Sequence, residues 1–188
     1  MWRPSVGVLA SGSGTILQAL LDAELPIAVV VVDRPCGAVD RAEAAGRSVE
    51  VVERTSFGKD FDRLAYTHRV VDVLERHSVD LVAMAGFMTV LEKPVFDAFG
   101  DRIVNTHPSL LPAFRGAHAV EDALAAGVKL TGCTVHVATR EVDDGPILAQ
   151  EAVPVGADDT VDTLHERIKE VERRLYPQVL RDLLEAPA

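Results

Sequence analysis

Short, wholly apolar runs rich in β-branched residues recur along this chain, separated each time by a stretch with helical spacing. Ser5–Ala10 (SVGVLA) and Ile27–Val32 (IAVVVV) have no polar face, so they read as strands buried on both sides. Ser48–Val52, Asp80–Ala85, Arg102–Thr106, Thr131–Ala138 and Pro146–Pro154 continue the series. Helical patterns fall at Thr15–Asp22, Asp60–His77 and Ala117–Ala126. A long helix follows Asp158, with Val161, Leu164, Ile168, Val171 and Leu175 spaced by three and four. Strand and helix alternate throughout, which predicts an α/β fold: one open, mostly parallel, Rossmann-like twisted sheet with helices on both faces. The last four residues, EAPA, are expected to fray. With 188 residues and neither repeat nor linker, the chain reads as a single domain over residues 1–188.

The core follows from the residue supply. Apolar residues make up 48% of the chain and aromatics only 5%, so Val, Leu, Ile and Ala must fill it. The net charge of -10 argues against a nucleic-acid surface, which needs a basic stripe. It leaves room for a small anion, which a few N–H groups or one Lys can hold. Cys36 and Cys133 lie far apart without a C-x-x-C spacing, so neither a cysteine zinc site nor a disulfide scaffold is expected. No histidine pair has metal-ligand spacing, and no metal is expected. No signal-type segment or membrane-length apolar run occurs, so a soluble cytoplasmic protein without membrane contact is the expectation.

In an open parallel sheet, ligands collect beyond the C-terminal strand ends. The turn LASGSGTILQALL (Leu9–Leu21) leaves the first strand and enters the first helix there. Gly12 and Gly14 permit a tight turn with close ligand approach, and the helix N-terminus offers free N–H groups to a phosphate. The P-loop pattern fails because no Lys follows. The dinucleotide pattern G-x-G-x-x-G is met at Gly12 and Gly14 but carries Leu17 at its third glycine. Asp33, ending the second strand, stands where a ribose-binding acid would be, so an NAD-dependent oxidoreductase stays open. A plain turn with Ser and Thr capping the helix also stays open.

RIVNTHPSLLPAFRG (Arg102–Gly116) places Asn105 and His107 at the end of another strand. Residues two apart on an extended segment share a face, so both side chains converge on one small group. An amide N–H and an imidazole can stabilise an oxyanion and move protons near neutral pH. Pro108 and Pro112 restrict the backbone that follows. A histidine merely tying down a buried turn is the alternative. Asp143, Asp144 and Gly145 lie in a turn between two strands; a functional Asp there would have to reach His107 and orient it. Among the remaining histidines, His68 and His77 read as solvated. His136 lies within a strand and His165 within the last helix, and the role of His118 stays open.

These stretches together resemble the folate-dependent phosphoribosylglycinamide formyltransferase family. The resemblance runs in order through LASGSGTILQALL, AGFMTVL, NTHPSLLPAFRG, TGCTVHVA, VDDGPILAQ and KEVERRLYP, nearly the whole chain. It implies formyl transfer from 10-formyltetrahydrofolate, as co-substrate, to the amine of glycinamide ribonucleotide, in purine synthesis; the sequence leaves monomer and homodimer both open. By resemblance, Asn105 donates to the tetrahedral oxyanion, His107 donates the proton, and Asp143 steadies the His107 imidazolium. Gly14, Thr15 and Ile16 match the amides that hold the ribonucleotide phosphate, with Ile16 replacing the usual Asn. Lys169 matches a residue near that phosphate and Glu172 the glutamate at the glycinamide part. Met88, Thr89, Val90 and Leu91 match the segment whose backbone bonds the pterin, with Thr89 where Arg is frequent. Arg63 matches an Arg that pairs with the folate glutamate tail.

Two more departures stand out: Arg115 replaces the usual Pro, and Asp144 replaces the usual Gly or Thr. Formyltetrahydrofolate hydrolases share LPAF, a following basic residue, and the same Asn, His and Asp, so hydrolysis is the rival reaction. They lack the SGSGT turn and carry an extra N-terminal domain, for which this chain has no expected room. Methionyl-tRNA formyltransferases need a C-terminal tRNA-binding domain that is not expected here. A non-catalytic nucleotide-binding module would leave the Asn, His and Asp set unexplained.

Overall fold

The computed structural model describes residues 4–56 and 58–186. Its strands are β1 (Val6–Ala10), β2 (Ile27–Val32), β3 (Ser48–Val51), β4 (Leu81–Met84), β5 (Ile103–His107), β6 (Leu130–Val137) and β7 (Ile147–Pro154). They form one seven-stranded sheet in the order β3-β2-β1-β4-β5-β6-β7. The helices are α1 (Thr15–Asp22), α2 (Gly37–Ala44), α3 (Arg63–Arg76), α4 (Lys93–Phe99), α5 (Ala119–Ala125) and α6 (Val161–Glu185). The mostly parallel α/β sheet expected from the alternating runs is therefore present. Residues 1–104 and 105–188 form two compact units.

In the first unit β1 pairs in parallel with β2 and with β4, and β2 with β3. Every residue of β1 is buried, as a strand without a polar face requires. α1 buries Ile16, Leu17 and Leu20, one stripe at helical spacing. α3 starts later than Asp60, because the Asp62 carboxylate accepts the Ala65 N–H at 2.9 Å and caps the helix there. α2 and α4 add two short helices. α2 is charged and Ala-rich, and α4 carries Pro in its first turn, so neither has a long apolar stripe.

In the second unit β6 and β7 are antiparallel, from Leu130 opposite Pro154 to His136 opposite Ile147. α6 starts at a reciprocal cap: the Thr160 hydroxyl accepts the Thr163 N–H at 3.2 Å, and the Thr163 hydroxyl accepts the Thr160 N–H at 2.9 Å. Leu164 and Ile168 of α6 pack with Val120, Cys133 and Val153 in a buried cluster flanked by Val161, Val171 and Leu175. The periodic stripe after Asp158 thus covers the sheet. α6 extends through Glu185; Pro187 and Ala188 of the end expected to fray lie outside the described residues.

Candidate active site

The glycine turn of the first unit is held in one tight shape. Gly14 caps α1 with φ 73°, and its carbonyl accepts the Gln18 N–H at 2.8 Å. A Cβ there would lie 2.7 Å from the Ala38 Cα, so both the left-handed backbone and the close neighbour require glycine. α2 braces the turn: Ala38 N–H donates to Gly12 O at 3.1 Å, and Arg41 Nε donates to Ser13 O at 2.8 Å. The amides of Thr15 and Ile16 open α1, where N–H groups have no partner inside the helix. Ile16's side chain is buried, which leaves only its backbone to face a ligand.

Asp33 does not stand free as a ribose acceptor, which removes the basis of the NAD reading. Its buried carboxylate accepts from the Thr89 hydroxyl at 2.8 Å and from Arg34 Nε at 3.0 Å. Burial works against its charge, but hydrogen bonds from Arg34, Thr89 and Ser11 outweigh that and hold its carboxyl below the usual range. Thr89 is therefore a buried anchor, and Ser11 Oγ accepts the Met88 N–H at 2.9 Å. Met88 and Val90 are exposed, and Leu91 is buried. Arg63 opens α3, is exposed, and pairs with Glu92 at 3.5 Å.

The second unit brings Asn105, His107 and Asp143 together at the end of β5. His107 Nε2 donates to Phe114 O at 2.8 Å, since a carbonyl can only accept. Its Nδ1 lies 3.4 Å from Asp143 Oδ2, with both side chains about 7% exposed. Asp143 Oδ2 also accepts the Gly116 N–H at 2.9 Å. Phe114 and Asp143 have φ of 53° and 55°, the left-handed region. Each such non-glycine conformation costs on the order of 1–3 kcal/mol and persists only where neighbours fix it.

His136, set aside in the sequence, belongs to this cluster. Its Nδ1 lies 3.0 Å from Val137 O and so carries the hydrogen. Burial lowers its pKa, so the ring stays neutral and Nε2 is an acceptor. Asn105 Nδ2 donates to that nitrogen at 3.3 Å, which fixes which end of the amide is NH₂. Asp143 Oδ1 lies 3.8 Å beyond. The signal available in the sequence was a lone imidazole inside an otherwise apolar strand.

Thr106, on the opposite face of β5, lies 3.3 Å from Cys133 Sγ. It also favours the charged form of Glu172, but enclosure dominates and pushes the Glu172 pKa up to about 7. Lys169, one turn earlier on α6, is 4.0 Å from Glu166. His118 is exposed beside Glu121, whereas His77 is half-buried against Glu50 at 3.3 Å. Among the described residues no metal-binding cluster occurs, and no helix is long and apolar enough to cross a membrane.

The arrangement offers an amide donor, a proton-carrying imidazole and a charged orienting group within one unit. Comparison with known proteins agrees with that chemistry. The chain is 44% identical to the trifunctional purine biosynthetic protein adenosine-3 of Gallus gallus over 95% of its own length, and spans only 18% of that relative. It is 47% identical to phosphoribosylglycinamide formyltransferase of Mycobacterium tuberculosis, over 89% of this chain and 79% of the relative. The crystal structure of glycinamide ribonucleotide transformylase 1 from Symbiobacterium toebii is similar with a TM-score of 0.91 at 42% identity, covering 97% of this chain and 88% of that one. Residues 5–180 match the family described as formyl transferase, and the chain belongs to that family.

Proposed function

We propose that this chain is a phosphoribosylglycinamide formyltransferase acting as a single domain over residues 1–188. The family match from residue 5 to 180 runs through both compact units, which supports one catalytic domain. The observation that carries the reading is the cluster of Asn105, His107 and Asp143, in which an amide of fixed orientation stands beside an imidazole paired with a carboxylate.

In this reaction the amine of glycinamide ribonucleotide attacks the formyl carbon of 10-formyltetrahydrofolate. A C–N bond forms and the carbonyl becomes a tetrahedral oxyanion. The second N–H of the Asn105 amide, the one not given to His136, donates to that oxygen. His107 as imidazolium protonates the departing folate nitrogen and recovers a proton from the attacking amine, so protons balance as the original C–N bond breaks. Asp143 holds the imidazolium by charge. The ribonucleotide phosphate is bound by the amides of Gly14, Thr15 and Ile16 with Lys169 nearby, and Glu172 contacts its glycinamide part. The backbone of Met88, Thr89, Val90 and Leu91 takes the pterin, and Arg63 the glutamate tail. The enzyme works in the cytoplasm as a monomer or homodimer, without nucleic acid, membrane or metal.

Ultraviolet-monitored release of tetrahydrofolate, with and without the ribonucleotide, tests this. Release strictly dependent on the ribonucleotide, with equal formylated product, is expected. Equal release without it would make the protein a hydrolase.

A further inference from the structure

Arg115 and Asp144, the two positions at which the loops around His107 depart from the family pattern, form an ion pair with each other. Arg115 belongs to a run of three consecutive residues, each of which binds either His107 or the facing loop. The Phe114 carbonyl accepts from His107 at 2.8 Å, the Arg115 guanidinium binds Asp144, and the Gly116 N–H donates to Asp143 at 2.9 Å. On the facing loop the partners Asp143 and Asp144 are also consecutive. Phe114 and Asp143 are the two non-glycine residues here held in the left-handed region, so each loop carries one strained residue beside one member of the pair.

We propose that Arg115 and Asp144 are positioning residues, a clasp that holds the two loops in register so that Phe114 and Asp143 keep the His107 ring in one orientation. The pair bridges the two loops with both side chains 45% exposed, so it acts through the adjacent residues. An exposed pair adds little to global stability. Its effect is to raise the share of molecules whose loops are closed on each other. At the same two positions, Pro with Gly or Thr would do this by backbone restriction or not at all, and neither one of the charges alone would serve.

The kinetic arm of the test rests on the proposed formyl transfer; the exchange arm does not. Arg115→Ala, Asp144→Ala, the double variant and the exchanged pair Arg115→Asp/Asp144→Arg are compared with the wild type by Gly116 amide hydrogen exchange, thermal unfolding, kcat and ribonucleotide KM. Each single variant should speed Gly116 exchange and lower kcat about twofold to fivefold, the range an exposed ion pair supplies, with the midpoint of unfolding and KM unchanged. The double variant should be no worse than either single one, and the exchanged pair should recover most of both losses. Additive single losses, unaltered Gly116 exchange, or a KM rise with kcat intact would overturn the clasp, the last by making Arg115 a ligand contact. A wild type without formyl transfer would overturn the function while the exchange data still decided the clasp.

Discussion

Asn105 Nδ2 stands 3.3 Å from His136 Nε2, and the second imidazole thereby decides which way the amide faces. Replacing Asn105 by Ala removes the oxyanion donor and should lower kcat by about 10²–10³. His136→Phe keeps the bulk but removes the acceptor, and should lower kcat by roughly twofold to tenfold, the worth of one neutral hydrogen bond. Steady-state kinetics of both variants check the order of these effects; an unimpaired Asn105→Ala would end the proposed role.

The same pair predicts an acid limb. The neutral His136 ring is the productive one, and its pKa is lowered from the ordinary histidine value by burial. Activity linked to it should therefore be complete at neutral pH and fall only below the ordinary histidine range, as Nε2 gains a proton and turns toward Asp143. His107, Asp143 and Asn105 are the groups that face it. The kcat profile of His136→Phe should lack that limb.

Glu172 titrates near neutrality. Its folded pKa of about 7 lies above the unfolded value of 4.5, so the folded state binds the extra proton. The stability that Glu172 contributes is then fullest below about pH 4.5 and is lost as pH rises toward 7. Glu172→Gln should be more stable than the wild type above pH 7 by about 1–3 kcal/mol, read by denaturant unfolding across pH. Its ribonucleotide KM should rise and lose its dependence on pH near 7.

Gly14 has room for nothing more. A Cβ would stand 2.7 Å from Ala38 Cα on a backbone at φ 73°. Gly14→Ala should cost on the order of 1–3 kcal/mol of stability and raise the ribonucleotide KM more than the folate KM. Equal rises in both would argue against a phosphate cradle there.

Leu164 is fully buried against Val120, Cys133 and Ile168. Leu164→Ala should lose about 2–5 kcal/mol in urea unfolding.

Much of this was legible in the residues because burial writes itself into periodicity. Runs such as IAVVVV have no second face, and the stripe from Val161 to Leu175 can only be one side of a helix. α2 and α4 were not legible, since seven or eight residues with small, charged or Pro positions make no stripe. Asn105 and His107 stood out by sitting two apart at a strand end. His136 did not, because its role depends on a residue 31 positions away and on a tautomer set by its neighbour's carbonyl. Asp33 misled for the matching reason: position at a strand end says nothing of whether a carboxylate is already bound.

That bound carboxylate has a wider meaning. Asp33 follows β2 and Ser11 follows β1, and between them they hold the Thr89 hydroxyl and the Met88 amide. If that segment receives the pterin, its shape is governed by two side chains rooted in the sheet. Tolerance of altered folates, and resistance to folate-like inhibitors, would then arise by mutation at positions that never meet the drug.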